Sequence, residues 1–427
     1  MTSTANTTNS EQRPGLETSG APHPQAVPRV LFLSWTEPDV VSGTPVILCD
    51  MMSHFPPGHT ELLCEKSYNR KNRRKISLAH PVRKVRFPYF LWPFHRGARV
   101  RAMLAYVGFP WLVLVGCWHV LRFRPTGLVA IYYRVSWVFA AYLISRICRV
   151  PLVYHIHDAL RENYDGKHTL HNRFSAWVEA RALRGARVAA LDPHMADHYL
   201  QRYGIECPIL RHVVWRKPLP RRPRENRDGP LIIGFAGAVY ENTRRQLAEL
   251  SAIVARHPRF RFKIWSGARA EVLAEMGIAG EGVEIGFEAD YDRLLERLSE
   301  CDLLYLPLSF HDTGSLTTDA LQYSFPTKSL DYLLAGPPIL VHCPEEFELA
   351  RFFREQDCGH LLTDGDPDRL VAWLEAFAEG RIADSDAAAR RRALELFSPQ
   401  ENRRVLWRVL SEAASQRHGA SHNLQRS

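Results

Sequence analysis

The stretch from Ser324 to Leu362, SFPTKSLDYLLAGPPILVHCPEEFELARFFREQDCGHLL, combines a sharply bounded helix with a cation at its start and a carboxylate one turn inside. Pro326 precedes Thr327 and Lys328, and KSLDYLLAG ends at Gly336 followed by two prolines, so the spacing predicts a short helix with defined ends. A helix N-terminus presents unpaired N–H groups and roughly half a positive charge, which favours an arriving anion, and Lys328 adds a full cation. Asp331 lies one turn further in, placed to accept the two hydroxyls of a ribose. An anion site beside a diol site points to a nucleotide sugar. The same residues also suit a plain strand-to-helix connection with a surface lysine.

Outward from this segment the chain alternates short apolar runs with helices. Val30 to Trp35, LVAIYY (128–133), PLVYHIHD (151–158) and RVAAL (187–191) read as strands, with helices from Thr44-Pro45, through Val178 to Leu183, and from Pro193 to Tyr203. Arg216 to Pro230 is rich in proline and charge without an apolar period and reads as a linker. After it LIIGFAG (231–237), RFKIWSG (261–267), DLLYLPL (302–308) and PPILVH (337–342) are strands, with helices at Tyr291 to Leu298 and Leu370 to Ala378. Such alternation predicts an α/β protein of two doubly wound, Rossmann-like domains, with ligands in the cleft beyond the carboxyl ends of the strands. The expected division is a tail over 1–27, a first domain over 28–215, a linker over 216–229, a second domain over 230–397, a terminal helix over 398–414 and a second tail over 415–427. Ser398 to Glu401 has the pattern of a capping box opening that helix, with Val405, Leu406, Val409 and Leu410 as its apolar stripe.

FPTKSLDYLLAGPPILV resembles the donor-site motif of GT-B glycosyltransferases, close to the retaining family four group, and CPEEFELARFFREQDCGHLL resembles that family's next unit, a helix followed by Cys-Gly and the last strand. The resemblance extends through most of the chain. It implies the GT-B fold, with the terminal helix crossing back to the first domain, and a donor nucleotide sugar held by the second. Residue by residue it implies that Thr327, Lys328 and Arg244 or Arg245 stabilise a departing diphosphate, that Asp331 grips the ribose, and that Gly43 and Gly237 let backbone approach a ligand closely. His157 matches a position where an imidazole touches the donor sugar, although a structural histidine at a strand end fits the residues equally. The sequence departs from the pattern at Ala238, where the family carries Arg, and at Tyr323, which replaces the first of two glutamates whose second is matched by Asp331.

Composition narrows the class. The chain has 427 residues, 46% hydrophobic and 24% charged, enough for two globular domains and too apolar for disorder. Its first 27 residues lack an apolar core of the kind that signal peptides carry. Eight scattered cysteines form no close pair, which argues against a zinc site or disulfide framework and for a reducing cytosol. Asp364-Gly-Asp-Pro-Asp368 superficially offers a metal-binding Asp-x-Asp, but Asp366-Pro367 fits a helix cap, so no metal or other cofactor is expected.

Charge is unevenly spread. Between Lys66 and His157 there are 17 Lys or Arg and no Asp or Glu, whereas the whole chain is +9. YNRKNRRK (68–75) is the densest part, and Phe87, Tyr89, Phe90, Trp92 and Phe94 follow among further cations. Cations interleaved with aromatics suit an anionic membrane surface. They equally suit nucleic acid or a merely solvated face, but no base-reading motif accompanies them, and no nucleic-acid partner is expected. Met103 to Leu121 approaches spanning length, yet Pro110, two glycines and His119 interrupt it, and a buried or surface-attached helix is the better reading.

The expectation is a retaining glycosyltransferase that moves a sugar from a nucleoside diphosphate to an acceptor hydroxyl, lipid-linked or on a growing polysaccharide, in the cytoplasm and peripheral on the inner membrane face. The rivals are a nucleotide-sugar epimerase of the same fold and a transfer-dead nucleotide-sugar-binding subunit.

Overall fold

A computed structural model of the chain describes residues 27–38, 43–65, 80–85, 98–132, 134–157, 170–221, 229–313, 317–384 and 386–424. The basic run 68–75, the aromatics between Phe87 and Phe94, the loop residues 39–42, the linker residues 222–228 and most of the first tail lie outside the described residues.

The first sheet contains β1 (Val30–Ser34), β2 (Thr60–Glu65), β3 (Val82–Val85), β4 (Gly127–Tyr132), β5 (Leu152–Ile156) and β6 (Arg187–Ala190), in the order β3-β2-β1-β4-β5-β6. The second contains β7 (Leu231–Ala236), β8 (Phe260–Trp265), β9 (Val283–Gly286), β10 (Leu303–Pro307), β11 (Ile339–His342) and β12 (His360–Leu362), in the order β12-β11-β10-β7-β8-β9. All pairings are parallel. Counted from its own first strand, each sheet follows the same doubly wound order, which reverses between β1 and β4 and again between β7 and β10. The central strands are buried along their whole length and mostly apolar because helices cover both faces. The edge strands VRKV and VEIG carry charged, exposed residues and lack that signal, which is why the sequence reading passed over them.

On the first sheet, helices Ala98–Phe123, Val135–Cys148, Leu170–Leu183 and Pro193–Tyr203 pack on the face presented by Leu31, Leu33, Ala130, Tyr132 and Tyr154. Helix Gly43–Ser53 and the terminal helix Pro399–Leu424 cover the opposite face, where Val405, Leu406, Val409 and Leu410 bury against Val30, Phe32, Val129 and Ile131. The terminal helix thus leaves the second sheet's layer and closes the core of the first.

Three local expectations change. Ser398 and Glu401 form no capping box: the Ser398 hydroxyl bonds Gln400 Oε1 at 2.9 Å, and Glu401 pairs with Arg404. The terminal helix continues to Leu424, ten residues beyond the expected limit. The first helix begins at Gly43, so Thr44 lies inside it and its hydroxyl turns to His157.

Candidate functional site at the carboxyl end of β7

β7 ends in Ala236 and Gly237 at the switch point of the second sheet. Gly237 takes φ +123°, a conformation that a side chain resists, and donates its N–H to Trp265 O at 2.9 Å. The Ala236 N–H donates to Tyr332 Oη at 2.9 Å, tying the strand end to helix Lys328–Ala335. Lys328 therefore lies against the glycine turn, where a Cβ on Gly237 would be 3.6 Å from its Nζ.

Lys328 is half-buried as a residue, but its ammonium nitrogen has no solvent contact and no hydrogen-bond partner. It lies 4.2 Å from the centroid of the Phe235 ring. Burial lowers its pKa to about 8, opposed by the nearby Asp331 carboxylate. Asp331 shows the complementary effect: burial raises it to about 6, while the Tyr291 hydroxyl, which donates to Oδ1 at 2.5 Å, and the cations Lys328 and Arg216 pull it down. Arg216, from the linker, stacks 4.6 Å over the Tyr291 ring and pairs with Asp292 at 2.5 Å. An unpaired ammonium, a glycine turn and an oriented carboxylate thus meet where a doubly wound sheet offers its crevice.

The helix start contributes less than the sequence suggests. Thr327 has helical backbone angles and its hydroxyl caps nothing, while the Ser329 and Leu330 amides already bond back to Pro326 O at 2.9 Å and Thr327 O at 3.1 Å. Fewer free donors face an incoming anion, and Lys328 carries more of the attraction. Arg244 and Arg245 are exposed on helix Glu241–Arg256, and Arg245 bonds Glu249 at 2.8 Å. Asp364 and Asp366 accept backbone N–H bonds from Asp366 at 2.9 Å and Asp368 at 3.0 Å, as a helix-capping turn does.

His157 follows β5, in the first sheet. Its Nε2 is 2.9 Å from His155 Nδ1, and its Nδ1 is 3.3 Å from Thr44 Oγ1. His155 Nε2 faces the Leu210 carbonyl at 2.8 Å and must donate to it, so His155 Nδ1 accepts from His157, and His157 Nδ1 accepts from Thr44. Burial, with His155 and His212 nearby, holds the His157 pKa well below the usual histidine range. It is a neutral imidazole of fixed tautomer, with both nitrogens engaged.

Sequence reasoning missed Tyr291, Phe235 and Arg216, which lie in three separate segments without a motif. It also missed what Tyr323 does. This residue buries with the first sheet's core cluster, and its hydroxyl bonds His198 Nδ1 at 2.8 Å across the domain boundary. Beside it Glu348 approaches His194 at 3.9 Å, and burial raises the carboxyls of both Glu348 and Asp192.

No protein-family model matches the sequence, and no curated protein does. Solved structures do. HepE from Anabaena in complex with UDP superposes with a TM-score of 0.59 at 15% identity, over 90% of this chain and 100% of that one. Sucrose-phosphate synthase from Thermosynechococcus elongatus gives 0.58 at 14%, over 93% and 98%. These are GT-B glycosyltransferases. The chain has the GT-B fold. Gly237, which follows β7, and Lys328 and Asp331, on helix Lys328–Ala335, belong to the second domain, and His157, which follows β5, to the first. At such low identity the likeness establishes the architecture only.

Proposed function

We propose that this GT-B protein is a retaining, nucleotide-sugar-dependent glycosyltransferase. The observation that carries the reading is the buried ammonium of Lys328, which has no hydrogen-bond partner, beside Gly237 and Asp331. A buried cation without a hydrogen-bond acceptor is costly, and a diphosphate supplies one. In this reading Lys328 and the Thr327 turn stabilise the leaving diphosphate, Arg244 or Arg245 swings in from the solvent to help, and Asp331, held by Tyr291, accepts the ribose hydroxyls. His157 shapes the sugar subsite as a neutral ring that positions Thr44. The bond from the anomeric carbon to the diphosphate oxygen breaks as the bond to the acceptor oxygen forms on the same face, and the departing phosphate takes the acceptor proton. No metal or other cofactor is assigned. The acceptor is a lipid-linked or growing saccharide on the cytoplasmic face of a membrane, to which the cation-rich first domain is drawn.

HepE was solved with UDP and with UDP-glucose, so uridine diphosphate heads the panel to be tried. Lys328→Ala and Asp331→Ala should each weaken nucleoside diphosphate binding about ten- to hundred-fold in calorimetry, since a charge-assisted hydrogen bond is worth about 1.5 to 3 kcal/mol. Unchanged affinity in both variants would remove these residues from the site. Transfer should survive excess chelator, and proton coupling constants of the product should report the donor's own anomeric configuration. The Tyr323 contact with His198 favours a second reading, a binding subunit without transfer. Diphosphate binding without any release of diphosphate from the sugar panel would decide for it.

A further inference from the structure

Ten large apolar side chains are exposed among the described residues, and six of them, Trp111, Leu114, Trp118, Leu121, Ile147 and Trp177, belong to three neighbouring helices of the first domain. Four follow one stripe of helix Ala98–Phe123 at spacings of three and four residues, with exposures of 52%, 65%, 53% and 71%. The opposite side of that helix is committed to the core through Leu112, Val113, Val120 and Phe123. Helix Val135–Cys148 packs so closely on it that a Cβ at Gly116 would lie 2.2 Å from Ile144 Cδ1. Helix Leu170–Leu183 continues the layer, with Trp177 5.6 Å from the ring of Phe139. The apolar residues therefore stand on the outer face of one continuous helical layer.

The charge on this layer has one sign. Arg122, Arg124, Arg146, Arg149, Arg181 and Arg184 are exposed on or beside the three helices, and Arg122 lies 5.4 Å from the Trp118 ring. The only carboxylate in the three helices is Glu179, which is buried. Tryptophan and leucine on a face rimmed by arginine, with no exposed acid among the described residues of the three helices, match a bilayer interface with anionic headgroups: indole rings sit at headgroup depth, and the cations meet phosphate. No helix among the described residues is long and apolar enough to cross a membrane, so the geometry is attachment.

We propose that the outer face of the layer formed by helices Ala98–Phe123, Val135–Cys148 and Leu170–Leu183 docks on an anionic lipid bilayer, with the Trp111–Leu121 stripe entering the interface. This deepens the membrane reading given above but rests on other residues than the basic run 68–75. The test is flotation of the full chain with vesicles of phosphatidylcholine containing graded phosphatidylglycerol, compared for the wild type, Trp111→Ser/Trp118→Ser and Leu114→Ser/Leu121→Ser. Uridine diphosphate affinity and circular dichroism serve as checks that each variant remains folded. The wild type should bind in proportion to the anionic fraction, with its tryptophans quenched by brominated lipid, and each double variant should lose at least tenfold in partitioning. Full binding by both variants would leave the membrane reading standing and overturn this face as its contact. A wild type indifferent to anionic vesicles at low salt would overturn both. Self-association abolished by the same substitutions, without vesicle binding, would make the face a protein interface and overturn the proposal.

Discussion

At the residue scale, Lys328 and Asp331 make opposite demands on pH. Lys328 has its pKa lowered to about 8 by burial, and an anionic ligand restores the charged form, so binding should take up a proton above that pH. Asp331, raised to about 6, must lose its proton to serve purely as an acceptor for ribose hydroxyls. Affinity for a nucleotide sugar, whose phosphates stay ionised throughout, should therefore be greatest between these values, falling towards acid and towards alkali by up to tenfold per unit. Asp331→Asn should flatten the acid limb, and Lys328→Arg the alkaline limb, because guanidinium stays charged. A profile with both limbs intact in both variants would assign the titrations elsewhere. In the unliganded protein the signs reverse: unfolding stability should rise from pH 8 upwards as the buried ammonium discharges, and fall as Asp331 ionises through pH 6.

At the element scale, the site depends on how helix Lys328–Ala335 is fixed to β7. Tyr332 is fully buried, and its hydroxyl is the acceptor for the Ala236 N–H. Tyr332→Phe leaves that amide buried without a partner, which should cost about 1 to 3 kcal/mol in the denaturant midpoint and loosen diphosphate binding as Gly237 shifts. Loss of stability at unchanged affinity would show that the turn is held by other contacts. At Gly237 the obstacle to a side chain is conformation, since a Cβ meets nothing closer than 3.5 Å but φ is +123°. The short helix itself was legible from Pro326, Lys328 and Gly336. Its partner Tyr291, forty residues earlier, was not, because only the packing of two separate helices brings that hydroxyl to Asp331.

At the scale of the whole molecule, the two domains are joined by the terminal helix and by a buried polar contact. Leu406 is fully buried against the first sheet, so Leu406→Ala should destabilise by about 2 to 5 kcal/mol, read as an earlier unfolding midpoint for the first domain. The second junction sets Tyr323, Glu348 and Arg351 against Asp192, His194, His198 and Arg211. Glu348 and Asp192 have folded pKa values above their unfolded ones, chiefly through burial, with Arg211 and Arg351 opposing and the Asp192 charge reinforcing the rise in Glu348. Their contribution is present in acid and is lost as pH rises through neutrality. Domain docking, followed by small-angle scattering, should loosen with rising pH, and Glu348→Gln should suppress that change. A pH-independent scattering profile in the wild type would sink the idea.

Local residue order already determined the doubly wound domains: the spacing of apolar runs fixes strands and helices, and the alternation of the two leaves parallel winding as the topology. The likeness of FPTKSLDYLLAG to a donor motif singled out Lys328 and Asp331, and the end of LIIGFAG singled out Gly237, because a helix start and a glycine turn are each written in consecutive residues. Tertiary structure alone decided that the Lys328 ammonium has no hydrogen-bond partner, that both nitrogens of His157 are engaged, and that Tyr323 reaches the other domain. It also decided which apolar residues of Ala98–Phe123 are left uncovered. Burial and pairing depend on what lies opposite, and the opposite side chain comes from a part of the chain that no local pattern names.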